Sequence, residues 1–200
     1  MKKFLPAMLA AALFASPANA QTKIGIRIYG AVNIDRSIGF DPGYGPIFEA
    51  DVVNNRIGLR AEGRLSEERK NNAERGFTYE GIAALRYRVK GNWFAEGGVR
   101  YSGYSSEFDS GEVWAKHKTT AIIGAGYADD KLKAVLRFSP QEHQTVNETT
   151  TLQFMSDAKI SHGKRLDQFL KVIIGFTSYT QGGERLNAMP WTVVGYGIGF

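Results

Sequence analysis

The chain has 200 residues, of which 43% are hydrophobic and 22% charged, and its formal net charge at pH 7 is +5. This length suits one compact domain or at most two small ones, and so small a charge does not by itself indicate a nucleic-acid partner. The absence of cysteine excludes a disulfide framework, a thiolate metal site and a cysteine nucleophile. Beyond the first twenty residues, no uncharged apolar run reaches the roughly 18 residues that a membrane helix needs.

The N-terminus has the pattern of a bacterial export signal. Lys2-Lys3 gives a basic start, an apolar stretch follows over 4–14, and Ala18-Asn19-Ala20 provides the small residues that signal peptidase recognises. We expect cleavage after the last of these alanines, because the apolar stretch is too short to anchor the chain across a bilayer. The sequence therefore divides into a signal peptide, 1–20, and one exported domain, 21–200.

The exported domain alternates apolar and polar residues with a period of two. Over 77–90, the odd-numbered positions are mostly apolar or aromatic, and the even-numbered positions carry most of the charges. Such alternation places the two sets on opposite faces of a β-strand. The pattern recurs over 23–28, 93–102, 131–138 and 169–176, and no long stretch of helical periodicity competes with it. The sequence predicts an all-β chain.

Two all-β architectures use such strands: a soluble sandwich or barrel that buries its apolar face, and a transmembrane barrel that turns this face toward lipid. The predicted strands favour the second, because several reach the roughly 9–11 residues that cross a bilayer at a tilt. The apolar face is rich in glycine and alanine, which would leave voids in a soluble core. Aromatic residues near strand ends predict girdles at the two membrane interfaces. They are Tyr87, Trp93, Tyr101, Tyr127, Phe138, Phe176 and Trp191.

The last predicted strand carries a separate signal. Its apolar residues alternate with glycines up to a final phenylalanine, with Gly195, Ile198 and Phe200 matching the pattern and Val193 standing where a polar residue is usual. This strand resembles the assembly signal of the small outer-membrane β-barrel proteins of Gram-negative bacteria, of the OmpA and OmpX type. The resemblance implies an outer-membrane location, insertion by the barrel-assembly machinery, and contact with outer-membrane lipid and lipopolysaccharide. It implies no cofactor, metal or nucleic acid, and it names no surface partner.

Connection lengths distinguish between two strand counts. In barrels of this family the periplasmic turns are short and the extracellular loops are longer. Eight strands would place the tight turns at 90–92 and 128–130 on the extracellular side, whereas further strands at 46–53 and 150–160 restore the rule throughout. We therefore predict a ten-stranded, antiparallel, up-and-down transmembrane barrel, with eight strands as the alternative. The short turns then also include 54–55 and 161–164, and the longer connections are 34–45, 65–75, 105–114, 140–149 and 181–189.

The charged face of each strand would point into the lumen. A lysine or arginine that faced lipid at the bilayer midplane would cost roughly 2–4 kcal/mol, whereas inside the barrel it can pair with a carboxylate. A barrel of this size is narrow and largely filled by side chains. We interpret the charges as a salt-bridged plug in a protein with a structural or surface-interaction role, and the surplus of basic residues leaves a narrow, anion-preferring pore as the alternative. The predicted lumen network comprises Glu80, Arg86, Arg88, Glu96, Arg100 and Arg137.

A third hypothesis is an outer-leaflet enzyme that modifies lipid or peptide. His143 lies in a predicted extracellular loop beside two glutamates, His117 lies between two lysines, and His162 falls at a predicted periplasmic turn. Catalysis requires a nucleophile, a base and an orienting group to converge. The sequence offers no such set, so we expect no enzymatic activity and no catalytic residue.

Overall fold

The computed structural model describes residues 22–35, 43–70, 74–107, 113–140, 147–163, 165–181, 184–185 and 189–200. Within these ranges, no helix is long and apolar enough to span a membrane. The strands are β1 (Thr22–Asp35), β2 (Gly43–Asn54), β3 (Ile57–Lys70), β4 (Glu74–Lys90), β5 (Trp93–Glu107), β6 (Val113–Ala128), β7 (Leu132–Ser139), β8 (Asn147–His162), β9 (Asp167–Gln181), β10 (Glu184–Arg185) and β11 (Met189–Gly199). Strand β10 is a two-residue pairing with the end of β9.

The other ten strands of the described ranges form one closed antiparallel barrel. Each strand pairs with the next in the chain from β1 to β9, then β9 pairs with β11, and β11 pairs with β1. This arrangement confirms the predicted ten-stranded up-and-down barrel and shows the eight-stranded alternative to be wrong. The two strands that decided the count, predicted at 46–53 and 150–160, are β2 and β8.

The register of the strands determines their tilt. Starting at Lys23 on β1, the cross-strand partners can be followed from each long strand to the next around the barrel. The last partner is Asp35, also on β1, so the stagger after one full circuit is twelve residues. A stagger of this size in a ten-stranded barrel tilts the strands by about 40° from the barrel axis. Twelve residues of such a strand rise roughly 30 Å, which is the thickness of the hydrocarbon core of a bilayer.

Short turns lie together at one end of the barrel. The β4–β5 turn contains Gly91 with a φ of 56°, a left-handed conformation that glycine adopts without strain. In the β6–β7 turn, the carboxylate of Asp129 accepts hydrogen bonds from the backbone N–H groups of Leu132 and Lys131, at 2.7 and 2.8 Å. These two donors lower the pKa of Asp129 below its usual value. The short turns lie where they were predicted, except that β8 continues to His162.

At the opposite end of the barrel, the strands extend further than predicted. Strands β3 and β4 remain paired as far as Lys70 and Glu74, so most of the loop predicted at 65–75 is strand. Beyond the stretch of a strand that carries apolar residues on one face, both faces can contact water. The alternation of apolar and polar residues then stops while backbone pairing continues. The prediction relied on alternation and therefore ended these strands too early. The other predicted loops lie partly outside the described residues.

Candidate functional site

The outer surface of the barrel is apolar. Every one of the ten long strands exposes large hydrophobic side chains there. Aromatic residues of the outer face lie at two levels: Tyr87 and Tyr79 are eight residues apart on β4, and Trp93 and Tyr101 are eight residues apart on β5. Eight residues of a strand tilted in this way span roughly 20 Å along the barrel axis. This separation is close to the roughly 25 Å apolar band of outer-membrane barrels.

The aromatic level at the short-turn end is tied to the turns. The rings of Trp93 and Tyr127 meet edge to face with their centroids 5.5 Å apart. The Tyr127 hydroxyl donates a hydrogen bond to Asp129 at 2.9 Å, and the side-chain amide of Asn92 donates to that hydroxyl at 3.3 Å. The polar edge of this girdle is therefore held by turn residues, as expected where an aromatic ring meets an aqueous boundary.

Trp191 corrects one of the girdle predictions. Its side chain is only 9% exposed and lies inside the barrel, with the guanidinium carbon of Arg64 5.2 Å from its ring centroid. Gly175, its cross-strand neighbour, provides the space, because a Cβ there would lie 2.1 Å from the ring. Trp191 is an even number of residues from the buried Gly195, and this parity was the signal that should have placed it inside. The other six predicted aromatics lie on the outer face.

The interior contains buried charges that pair across the lumen. Eight side chains from β2, β3, β4, β5 and β7 form a closed circuit in which carboxylates and cations alternate. In order, they are Glu49, Arg60, Glu62, Arg137, Glu96, Arg86, Asp51 and Lys133, which returns to Glu49. We call this set the ion-pair circuit.

Individual links show how tightly the ion-pair circuit is held. Arg86 donates from Nη1 to Asp51 Oδ1 at 2.8 Å and from Nε to Glu96 Oε2 at 3.0 Å. The longest link joins Arg137 Nη1 to Glu62 Oε2 at 3.6 Å. Each carboxylate of the circuit therefore contacts cations from at least two sides. Charge-assisted hydrogen bonds of this kind fix the positions of both partners.

Further contacts extend the ion-pair circuit to β1, β8 and β9. Lys171 on β9 donates to Glu49 Oε2 at 2.6 Å, and its ammonium lies 4.8 Å from the ring centroid of Tyr29. The Tyr29 hydroxyl and Arg27 both donate to Asp157 Oδ2, each at 2.7 Å. Together with the circuit, these side chains from β1, β8 and β9 fill the lumen at this level.

A smaller charged group lies nearer the end with the longer connections. Glu80 Oε2 accepts from Arg100 Nη2 at 2.7 Å and from Arg64 Nη2 at 3.3 Å. The side chains of these two arginines are 18% and 14% exposed, more than any arginine of the circuit. We call this group the Glu80 triad. It contains two cations and one carboxylate, so it has a positive charge without a counter-charge of its own.

The structure divides the residues predicted for the lumen network between these two groups. Three lie in the ion-pair circuit, two lie in the Glu80 triad, and Arg88 lies in neither. Arg88 still pairs in register with Phe94, but it lies at the end of β4 beside the β4–β5 turn, where its side chain is exposed. The members of the circuit are Arg86, Glu96 and Arg137, and those of the triad are Glu80 and Arg100.

Sequence reasoning did not assign the partners that lie across the lumen. Alternation correctly placed Glu49, Arg60 and Lys171 on the inner face, but it gave no reason to pair β2 with β9. Such pairs depend on which strands face each other and at what depth. The stagger of the closed barrel sets both, and a single strand does not reveal it.

Of the residues assigned to the assembly signal, Gly195 and Ile198 lie in β11, the strand that closes the barrel, and Phe200 directly follows it. Gly195 is buried on the inner face, whereas Ile198 and Phe200 are exposed on the outer face. The backbone N–H and C=O of Phe200 exchange two hydrogen bonds of 3.1 Å with Ile26 on β1. The placement of these residues joins the last strand to the first, and their role in assembly stays a prediction.

Two histidines can be placed, and His143 lies outside the described residues. His117 is exposed on the outer face, 6.0 Å from the ring of Tyr101. His162 is exposed at the β8–β9 turn with Nδ1 2.6 Å from Asp167, whose pKa is lowered by the hydrogen bond from Lys159. Across the ranges that the structure covers, no group of three or more histidine, aspartate or glutamate side chains could hold a metal ion.

Comparison with known proteins gives distant structural neighbours. Neisserial surface protein A has a TM-score of 0.42 and 10% identity, with 90% of this chain and 97% of that chain covered. Ail, the attachment invasion locus protein of Yersinia pestis, has a TM-score of 0.39 in its sucrose octasulfate complex and 14% identity, with coverage of 90% and 99%. The N-terminal β-barrel domain of Pseudomonas aeruginosa OprF has a TM-score of 0.38 and 13% identity, with coverage of 90% and 100%.

No protein-family model and no curated sequence matches the chain. The TM-scores of these structural neighbours are too low to assign a function to this chain. The predicted resemblance to small outer-membrane barrels is confirmed in its architecture: the chain forms a closed, ten-stranded, antiparallel barrel.

Proposed function

We propose that this chain is an integral β-barrel protein of the bacterial outer membrane, with a structural or surface-interaction role and a lumen closed by ion pairs. The observation that carries the proposal is the inverted polarity of the barrel wall. Leu136 is 50% exposed on the outside, and the next residue, Arg137, is 2% exposed on the inside. A water-soluble domain places such residues the other way round.

The exposed hydrophobic side chains of the ten long strands form an apolar belt on the outer surface, and this belt supports a membrane environment. It encircles the barrel, whereas soluble monomers rarely expose a contiguous apolar patch larger than a few hundred Å². Lipid tails would cover the belt and conform to its small side chains. The ends of the strands would then project into water, which accounts for the charged sequence at the end of β3, near Lys70.

The filled lumen supports a plug more than an open channel. The ion-pair circuit joins side chains of β2, β3, β4, β5 and β7, and Lys171 extends it to β9, so the charges occupy the cross-section that a solute would need. A barrel of ten strands leaves little space once side chains fill it. The described histidines lie on the outer face and at a turn, outside the filled lumen, which supports a role other than catalysis.

The proposal includes a route to the membrane. Residues 1–20 would direct export and be removed after Ala20, and the terminal strand with Gly195, Ile198 and Phe200 would be recognised by the barrel-assembly machinery. Outer-membrane lipid and lipopolysaccharide would then surround the apolar belt. Cell fractionation combined with N-terminal sequencing tests this route, and recovery of the chain in the periplasm with residues 1–20 intact would contradict it.

Refolding into lipid vesicles tests the barrel in its membrane. The folded chain should migrate differently from the boiled chain on a gel, and the spans should be protected from added protease. A chain that folds and stays soluble without lipid or detergent would overturn the proposal.

A narrow, anion-preferring pore is the second candidate, and the surplus of cations in the Glu80 triad favours it. Conductance in planar bilayers separates the two. The plug should give silent bilayers, whereas steady openings that shift on replacement of Arg86 or Arg100 by glutamine would contradict it. Turnover of a lipid or peptide that is lost in His143→Ala would instead support the enzyme hypothesis.

A further inference from the structure

The ion-pair circuit has more hydrogen-bond donors than its carboxylates accept. Among the described side chains, Arg60 Nε and Nη1, Arg86 Nη2, and Arg137 Nη1 and Nη2 are buried and make no hydrogen bond. Arg60 and Arg137 are each only 2% exposed. Buried donors are nearly always satisfied in folded proteins, because leaving one without a partner is unfavourable. An acceptor is therefore expected beside these arginines.

When all of its arginines and lysines are charged, the same region has one positive charge more than its carboxylates balance. The ion-pair circuit contains four cations and four carboxylates, and Lys171 adds a fifth cation to those described. Lys171 has no carboxylate of its own, because its partner Glu49 also contacts Arg60 and Lys133. The adjacent pair of Arg27 and Asp157 is neutral and does not compensate. In an environment of low dielectric constant, an uncompensated charge is unfavourable.

The excess donors and the excess charge lie at one place. Glu49 contacts Arg60, Lys133 and Lys171, and Glu62 contacts Arg60 and Arg137, so four cations surround two carboxylates. A water molecule there could accept hydrogen bonds but would leave the charge unmatched. A monovalent anion would satisfy both requirements. The ion must be small, because large buried side chains, among them Tyr29 and Met155, occupy the neighbouring lumen.

We infer that the lumen contains a binding site for one small monovalent anion of the chloride class, located between Arg60, Arg137 and Lys171. The inference rests on the proposed function, because it requires the interior to be a plug that is closed to bulk solvent. The anion is then a structural part of the plug, held where guanidinium and ammonium donors converge. This site is distinct from the Glu80 triad, where partly exposed arginines can be neutralised by ions in solution.

Bromide, which replaces chloride and scatters anomalously, gives a direct test. Crystals of the detergent-solubilised barrel grown in sodium bromide should show an anomalous peak within hydrogen-bond distance of Arg60, Arg137 or Lys171. Peaks confined to the outside of the barrel would overturn the proposal. The experiment requires no variant, so it does not depend on the folding of a mutant.

Urea unfolding of the same barrel gives a second test. At equal ionic strength, the unfolding equilibrium constant should be lower in sodium chloride than in sodium gluconate, whose anion is too large for the site. Chloride at ten times its dissociation constant lowers this constant about tenfold. Equal constants in the two salts would contradict the inference.

Lys171→Met identifies the site, because it removes the unmatched charge and leaves Glu49 with Arg60 and Lys133. We expect this variant to lose the difference between chloride and gluconate. The matched control is Arg88→Met, which removes one exposed positive charge outside the circuit and should keep the full difference. A Lys171→Met barrel with wild-type chloride dependence would overturn the inference. Failure of the chain to insert into vesicles would overturn the proposed function and would leave these measurements in detergent unaffected.

Discussion

The ion-pair circuit and the Glu80 triad contain the same kinds of residue in the same lumen, but they differ in how their charges are compensated. In the circuit, Arg86 and the other cations lie between carboxylates and are almost completely buried. In the triad, two arginines share Glu80 and keep contact with solvent. The difference shows that burial determines how much stability is lost when one member of an ion pair is removed. Water can replace a lost partner in the triad, but not in the circuit.

Arg137→Met should interrupt the ion-pair circuit and cause the largest loss in the free energy of unfolding. It leaves Glu62 with Arg60 and Glu96 with Arg86, and removes the cation that joins the two carboxylates. Removing one partner of a buried ion pair costs about 3–5 kcal/mol. Urea titration of the barrel refolded in lipid vesicles would measure this loss. A variant as stable as the wild type would show that the circuit does not contribute to stability.

Leu136→Arg tests whether the sidedness of the wall matters more than the presence of an arginine. The variant places an arginine on the outer face of β7. The next residue, Arg137, is an arginine that the inner face accommodates. The expected loss is about 2–4 kcal/mol near the bilayer midplane, measured by the same titration. Leu136→Met is the control and should change stability little, because it keeps an apolar side chain toward lipid. An equal stability of the arginine and methionine variants would argue against a lipid-facing surface.

Arg100→Gln should have a smaller effect than either of these changes. Glu80 is buried but keeps Arg64 as a partner, and Arg100 is partly exposed, so the loss should be about 1.5 kcal/mol. It should also decrease at high salt, because exposed charges are screened. A loss comparable to that of Arg137→Met would show that the triad and the circuit act as one unit.

Asp129→Asn probes a carboxylate outside the lumen and should have the smallest effect. The hydrogen bonds from Leu132 and Lys131 hold the pKa of Asp129 below its ordinary value. Its stabilising contribution is therefore complete above about pH 5 and is lost as the pH falls through the ordinary aspartate range toward the lowered pKa. The stability difference between wild type and variant, measured by urea titration at pH 7 and at pH 3, should shrink at the lower pH. A difference that grows on acidification would contradict this assignment.

Much of the barrel could be predicted because a strand shows its two faces in its own sequence. Alternation was enough to place Arg86 and Glu96 inside, and they are direct cross-strand neighbours on β4 and β5. It was not enough to find the contact between Glu49 and Lys171, whose strands meet only across the lumen. That contact depends on the stagger of the whole barrel, which no single segment encodes. The exposure of Arg88 depends on its position at the end of β4 beside the turn, which parity does not show.

The seam between β1 and β11 determines the order in which the barrel can be completed. The hydrogen bonds between Ile26 and Phe200 join segments that are far apart along the chain, and contacts of such long separation carry the greatest loop-closure entropy. Strands β1 to β9 can pair with their neighbours in sequence, but the wall stays open until β11 occupies the remaining gap. While the wall is open, water can reach the charged side chains of the inner face. Dehydration of the lumen and closure of the wall are therefore one event, and any ion that stays inside is enclosed at that step.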